Sequence, residues 1–229
     1  MNFDLNKLLF LEIVTVSGEK SFTDLLNNKP IVADIFQNNR FSFIERYPNE
    51  EVLPLESLYL KCAGIYPEFG KIVCVSLGAL DKNGHIKITS FQGDEKDILL
   101  KVRTVLDTAE SKYTLCGHNI KSFDLPYLGK RYLINSLTPP KLLPTYDTKP
   151  WEIKAIDTRD IWVFSGFKSF SSLSLISHLL EIEPHSNIKV EDIHDYYWLE
   201  KKDEGKIKEF CESEIKITID IIKKLNSNE

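Results

Sequence analysis

The chain has 229 residues, 42% of them apolar, which suits one domain with a sizeable core and excludes a disordered chain. Its formal charge of −5 excludes a broadly basic surface, so an anionic partner must be met by a local cluster of Lys and Arg. No apolar run is long enough to span a bilayer, and Met1–Lys7 lacks the basic and apolar regions of a secretion signal, so neither a membrane partner nor export is expected. The four cysteines (Cys62, Cys74, Cys116 and Cys211) and five histidines form no zinc spacing. Cys74 and Cys116 fall in strand-like runs as small core residues, and a reducing cytoplasm is expected.

Lys7–Val16 reads as the first strand, apolar on both faces and therefore central. Glu12 lies inside it, and a charge there needs a metal, a cation or the exposed end of the strand. Gly18–Glu56 is polar, with helical stretches over Ser21–Asn28 and Ile31–Phe43, and carries no functional signal. Ser57–Ile65 is short and helical, and Tyr66–Gly70 turns into a strand over Lys71–Gly78. Glu68 and Phe69 read as a turn residue and a core plug. Asp81-Lys82-Asn83-Gly84 is a hairpin turn, because Asn-Gly adopts positive φ at little cost, and His85–Phe91 is the return strand. Asp94–Glu110 is an amphipathic helix with Ile98, Leu99, Val102, Val105 and Leu106 as its stripe.

Tyr113–Cys116 forms the fourth strand. Gly117 and Asn119 end it, and Phe123, Tyr127, Leu128 and Tyr132 recur at helical spacing beyond. Asp124 therefore stands at the start of a helix behind a strand end, where α/β proteins gather ligands. An Asp in that place is also a candidate N-cap. Leu137–Pro150 is a loop. Lys141, Lys149, Lys154, Arg131 and Lys168 are candidates for a basic rim, with Trp151, Trp162 and Phe170 to stack on bases. A solvated loop with one core Trp is the alternative. Ile153–Phe164 holds the fifth strand and a bend over Ile156–Trp162, and Asp157 and Asp160 read as surface acids, with replacement of a missing ligand at Val14 as the alternative. Ser171 or Ser172 caps a helix running to Glu181, striped by Leu173, Ile176, Leu179 and Leu180. Val190–Trp198 is short and helical, and Glu204–Leu225 is the last helix.

The run Asn119-x-x-x-Phe123-Asp124-x-Pro126-Tyr127-Leu128 resembles the second motif of the DEDD 3′-5′ exonucleases. These are RNase H-like proteins that include the proofreading domains of DNA polymerases. The branch most similar is that of predicted exonucleases like the proofreading domain of family B polymerases. The resemblance implies an α/β fold over residues 1–229 as a single domain: an RNase H-like mixed five-stranded sheet, three antiparallel strands and then parallel ones, flanked by helices. It implies that Asp124 is one of four acids holding two divalent ions, Mg or Mn. The family's first motif, Asp-x-Glu-Thr, falls on Glu12, Val14 and Thr15, and its third, Tyr-Cys-x-x-Asp, falls on Phe210, Cys211 and Glu214. Glu12, Asp124 and Glu214 are thus the implied metal ligands. Thr15, Asn119, Lys121, Phe123 and Tyr127 are the residues implied to lie against the 3′ end of single-stranded DNA or RNA.

Four diagnostic positions depart from the pattern. Glu12 and Glu214 are one methylene longer than the family's acids, Val14 has no ligand atom, and Phe210 lacks the hydroxyl that orients the attacking water. A longer acid moves its carboxylate by more than ~1 Å, and a displacement of that size costs roughly 100-fold in rate. The loss falls hardest on Mg²⁺, which demands near-ideal geometry. The expectation is a 3′-5′ exonuclease-family protein with weakened two-metal hydrolysis. The alternatives are a strand-binding protein without catalysis and an interaction module that retains only the fold.

Overall fold

The structure is a computed structural model, and it describes residues 1–44, 53–110, 112–164, 171–199 and 202–226. Aliphatic and β-branched runs form five strands: β1 (Leu8–Ser17), β2 (Gly70–Leu80), β3 (Ile86–Gln92), β4 (Thr114–Gly117) and β5 (Ala155–Asp157). They make one sheet in the order β3-β2-β1-β4-β5. β1–β2 and β2–β3 pair antiparallel, while β1–β4 and β4–β5 pair parallel. The three antiparallel strands followed by parallel ones agree with the pattern expected from the sequence. The β2–β3 turn forms at Asp81–His85, where Gly84 takes φ +80° and the Asp81 carboxylate accepts the N–H groups of Asn83 and His85.

Ten α-helices are present among the described residues: α1 (Phe22–Asn28), α2 (Pro30–Asn38), α3 (Arg40–Ile44), α4 (Leu55–Cys62), α5 (Glu95–Ala109), α6 (Asp124–Ile134), α7 (Thr158–Val163), α8 (Leu173–Leu179), α9 (Ile193–Trp198) and α10 (Glu204–Asn226). The period of two along β1 decides which helices cover which face. Leu9, Leu11 and Ile13 enter a core with Ile98, Leu99 and Val102 of α5 and Leu128 of α6. Leu8 and Phe10 point the other way, against Ile215, Ile219 and Ile222 of α10. Glu12 and Val14 share that second face. Gly78 on β2 lets α10 lie close, since a Cβ there would stand 2.7 Å from the Ile215 side chain. A separate aromatic cluster of Phe22, Phe36, Phe43, Tyr59, Tyr66 and Phe69 ties α1–α4 together at one end of the sheet.

Several local expectations change. The single helix expected over Ile31–Phe43 is two, because the Asn39 amide and backbone N–H both bond to the Ile35 carbonyl and end α2. The fifth strand forms where expected, but the bend after it is a helix. β5 lasts three residues, and the Asp157 carboxylate then caps α7 by accepting the Arg159 N–H. Leu179 is exposed and lies off the α8 stripe. Arg131 is buried and cannot serve in a basic rim: its guanidinium bonds to both Glu95 carboxylate oxygens and to the Pro67 carbonyl. Trp162 packs against α8 and α10, while Lys168 and Phe170 lie outside the described residues. No helix among the described residues is long and apolar enough to cross a membrane.

Candidate active site

Three elements distant in sequence bring three carboxylates together. Glu12 comes from β1, Asp124 from the first position of α6 and Glu214 from the middle of α10. The Cys211 thiol donates to the Glu12 carbonyl at 3.6 Å, which fixes α10 against β1 almost one turn before Glu214. Asp124 does not cap its own helix, contrary to the N-cap alternative. Its Oδ1 instead accepts the Ile13 N–H across the sheet at 3.1 Å, directing the carboxyl beneath β1.

The electrostatics of the three acids agree with their convergence. Burial pushes the Glu12 carboxyl well above its ordinary range, and the charges of Asp124 and Glu214 push it further. Burial raises Asp124 to about 8, against the opposing effect of the Ile13 N–H, and the charge of Asp157 adds to the rise. Burial likewise raises Glu214 to about 7. None of the three forms an ion pair within the described residues. A buried Asp124 and half-buried Glu12 and Glu214 with no cation partner match the donor chemistry of a hard divalent ion. As placed, however, no three His, Cys, Asp or Glu side chains among the described residues stand close enough to grip one ion. The donor type therefore fits, while the spacing of the three acids as placed does not close around one ion.

A groove of about 870 Å³ opens beside these acids, lined among others by Glu12, Val14, Thr15, Phe123, Phe210 and Glu214. Val14 is buried with Val16, Val73, Cys74, Ile193, Ile207 and Cys211, so its position is an apolar packing site. A β-bulge helps to set this wall: Val14 faces Cys74 and Thr15 faces Ile72, leaving Val73 as the extra residue. The Thr15 hydroxyl donates to the Gly64 carbonyl at 2.8 Å, and the Tyr127 hydroxyl donates to the same oxygen at 3.1 Å. Tyr127 is buried, with its ring 5.3 Å from that of Phe123.

The turn after β4 is held separately. Asn119 adopts a left-handed φ of 58°. Lys121 pairs with Asp160 at 3.0 Å. Asp160 is exposed as expected, but Asp157 is not a surface acid. It is buried and accepts backbone N–H groups from Asn119, Lys121 and Arg159. Sequence reasoning missed Arg159, whose Nη1 donates to Asn119 Oδ1 at 2.6 Å. The available signal was an Arg two residues beyond an Asp at a strand end. Of the loop candidates for a basic rim, Lys149 lies over the exposed Trp151 ring at 5.6 Å.

Residues 65–219 match a family described as a predicted 3′-5′ exonuclease related to the exonuclease domain of PolB. That span includes Asn119, Asp124, Phe210 and Glu214 and begins after β1. No curated protein matches the chain. Among solved structures, the family B DNA polymerase from the hyperthermophilic archaeon Pyrobaculum calidifontis is similar, with a TM-score of 0.57 and 12% identity over 95% of this chain. The match covers 24% of the polymerase, so the likeness is one of fold with a minor part of that protein.

Proposed function

The chain belongs to the family of predicted 3′-5′ exonucleases related to the exonuclease domain of PolB, and from that premise we propose that it acts on the 3′ ends of single-stranded DNA or RNA with slow, metal-dependent hydrolysis. The observation that carries this reading is the convergence of Glu12 and Glu214, which line one groove, with the buried Asp124, where the charges of Asp124 and Glu214 both act on Glu12. Glu12, Asp124 and Glu214 would hold Mn²⁺ more readily than Mg²⁺, since two of the three are long and only Mg²⁺ is strict about geometry. The ion would supply an activated water and neutralise charge on the phosphoryl group.

The chain's own residues set the rest. Asp124 keeps its place through the Ile13 N–H. Thr15 and Tyr127 join at the Gly64 carbonyl and hold β1 and α6 to the floor of the groove. Phe123 lines that floor and offers an apolar face to a terminal base. Val14 removes one ligand and Phe210 removes a hydroxyl that would orient water, so turnover is slow. Purified protein with Mn²⁺ and a labelled single strand should give a ladder shortened from the 3′ end, lost in Asp124→Ala. Calorimetry should show saturable Mn²⁺ binding that the same substitution removes. No ladder and no metal binding would defeat the reading. The packing of Val14 in an apolar cluster favours one second reading, strand binding without cleavage. That reading predicts salt-sensitive association with single strands and no product.

A further inference from the structure

The turn that carries Asn119 is rigid for a stated reason. The Asp157 carboxylate accepts the N–H groups of Asn119 at 2.8 Å, Lys121 at 3.1 Å and Arg159 at 2.9 Å, so one acid joins the end of β4 to the start of α7. The Asn119 side chain in turn accepts from Arg159 Nη1. The guanidinium is therefore fixed in place, and Nη1 to Asn119 is its one hydrogen bond among the described residues. It stands in the wall between two surface cavities. One, of about 510 Å³, is shared with His118, Ser172 and Glu214, and the other, of about 380 Å³, with Phe123, Pro126 and Tyr127.

Neighbouring cations are already engaged. Lys121 pairs with Asp160, Lys130 with Glu68 and Arg131 with Glu95. The His118 ring accepts from the Thr158 hydroxyl at Nδ1 and donates to the Ser171 carbonyl at Nε2, which leaves it no free donor. Arg159 forms no ion pair with a carboxylate among the described residues, Glu214 of the shared cavity included. A planar, permanently charged fork that is fixed by a neutral amide and lacks an anion suits a phosphate, which it can engage through two parallel hydrogen bonds.

We propose that Arg159 is a phosphate-binding residue: positioned by Asn119, its guanidinium takes the non-bridging oxygens of one backbone phosphate in a single strand whose 3′ end lies in the groove. This rests on reading the groove as a nucleic-acid site. It adds the element that reading lacks, a cation placed beside the acids in an otherwise acidic chain. The contact reads no base, so DNA and RNA strands use it alike.

The test is fluorescence anisotropy with labelled oligothymidine and oligouridine strands, in EDTA to prevent cleavage, over a series of salt concentrations. Wild type, Arg159→Gln and Arg159→Lys are compared. Loss of one phosphate contact flattens the plot of log affinity against log salt by ~0.7 for a single strand, and Arg159→Gln should show that change with about tenfold weaker binding at low salt. Arg159→Lys should keep the slope and lose part of the affinity, because it keeps the charge without the fork. On wild-type protein, the Arg159 Nε–Hε NMR signal, identified by its absence from Arg159→Lys, should shift on adding either strand. A wild-type slope in Arg159→Gln, or an unmoved Arg159 signal while the strand binds, overturns this inference and leaves the proposed function standing. Failure of the wild type to bind either strand overturns both.

Discussion

Two aspartates of this chain are buried almost equally, Asp124 at 2% exposure and Asp157 at 3%, and the protein treats them in opposite ways. Asp157 is surrounded by donors, with three backbone N–H groups from two segments ending on its two oxygens. Asp124 receives the Ile13 N–H, lies near the half-buried Glu12 and Glu214, and is pushed up to about 8 chiefly by burial. A buried carboxylate whose donors are supplied holds the chain together. One that is short of donors and faces like charge is a strain that a cation or a proton must relieve. The acids beside the groove are of the second kind, and the acid that organises the Asn119 turn is of the first.

The comparison is broken most directly at Asp157. Asp157→Ala leaves three partly buried N–H groups without their acceptor and should cost about 2–4 kcal/mol, read as a lower midpoint in urea. An effect below ~1 kcal/mol would mean that the turn is held by something else. Val14→Glu comes next. It restores the family's acid in sequence but places a carboxylate in a cluster of Val, Ile and Cys side chains. A loss of about 2–4 kcal/mol is expected, with no gain in cleavage unless Mn²⁺ is present to take up the charge.

The third prediction concerns pH. Glu12, Asp124 and Glu214 titrate above the ordinary carboxylate range in the folded chain, so between pH ~4 and ~8 the folded state holds protons that the unfolded state has released. Stability contributed by these groups is complete below that window and is lost as pH rises through it. In EDTA, unfolding free energy should fall by about 1–3 kcal/mol between pH 5 and pH 8, and saturating Mn²⁺ at pH 8 should restore it. A flat or rising profile would show that burial does not hold the three acids above the ordinary carboxylate range. The smallest effect is expected from Asp124→Asn. Its amide oxygen can still accept the Ile13 N–H while the charge is removed, so metal-free stability at pH 8 should rise by ~1 kcal/mol, even as metal binding is lost. Thermal unfolding with and without Mn²⁺ separates the two.

Local signals were legible in the sequence wherever the cause is local. The Asn83-Gly84 hairpin, the α5 stripe and the apolar run of β1 each depend on residues within one element, and each formed within a residue or two of its expected bounds. The order of three antiparallel strands before parallel ones was implied by the family resemblance and is the order the sheet shows. The convergence of Glu12, Asp124 and Glu214 was implied by family motifs, and its electrostatic cost emerged only from the packing. Legibility failed where a residue's role is assigned from far along the chain. Asp157 looked like a surface acid because its donors Asn119 and Lys121 lie 38 and 36 residues earlier. Arg131 looked like a cation for a groove because Glu95, its partner, sits at the start of another helix. Ile156–Trp162 read as a strand and a bend, and the Asp157 cap instead starts a helix at Thr158.

By itself, then, the sequence determined the elements, their layering and the residue types available for chemistry, since hydrophobic period and turn preference act over a few residues. The tertiary structure alone decided which acids are satisfied and which are not, that Val14 belongs to the core, and that Arg159, held by Asn119, has no carboxylate partner among the described residues. Those outcomes depend on donors, charges and space contributed by segments that meet only when the chain folds.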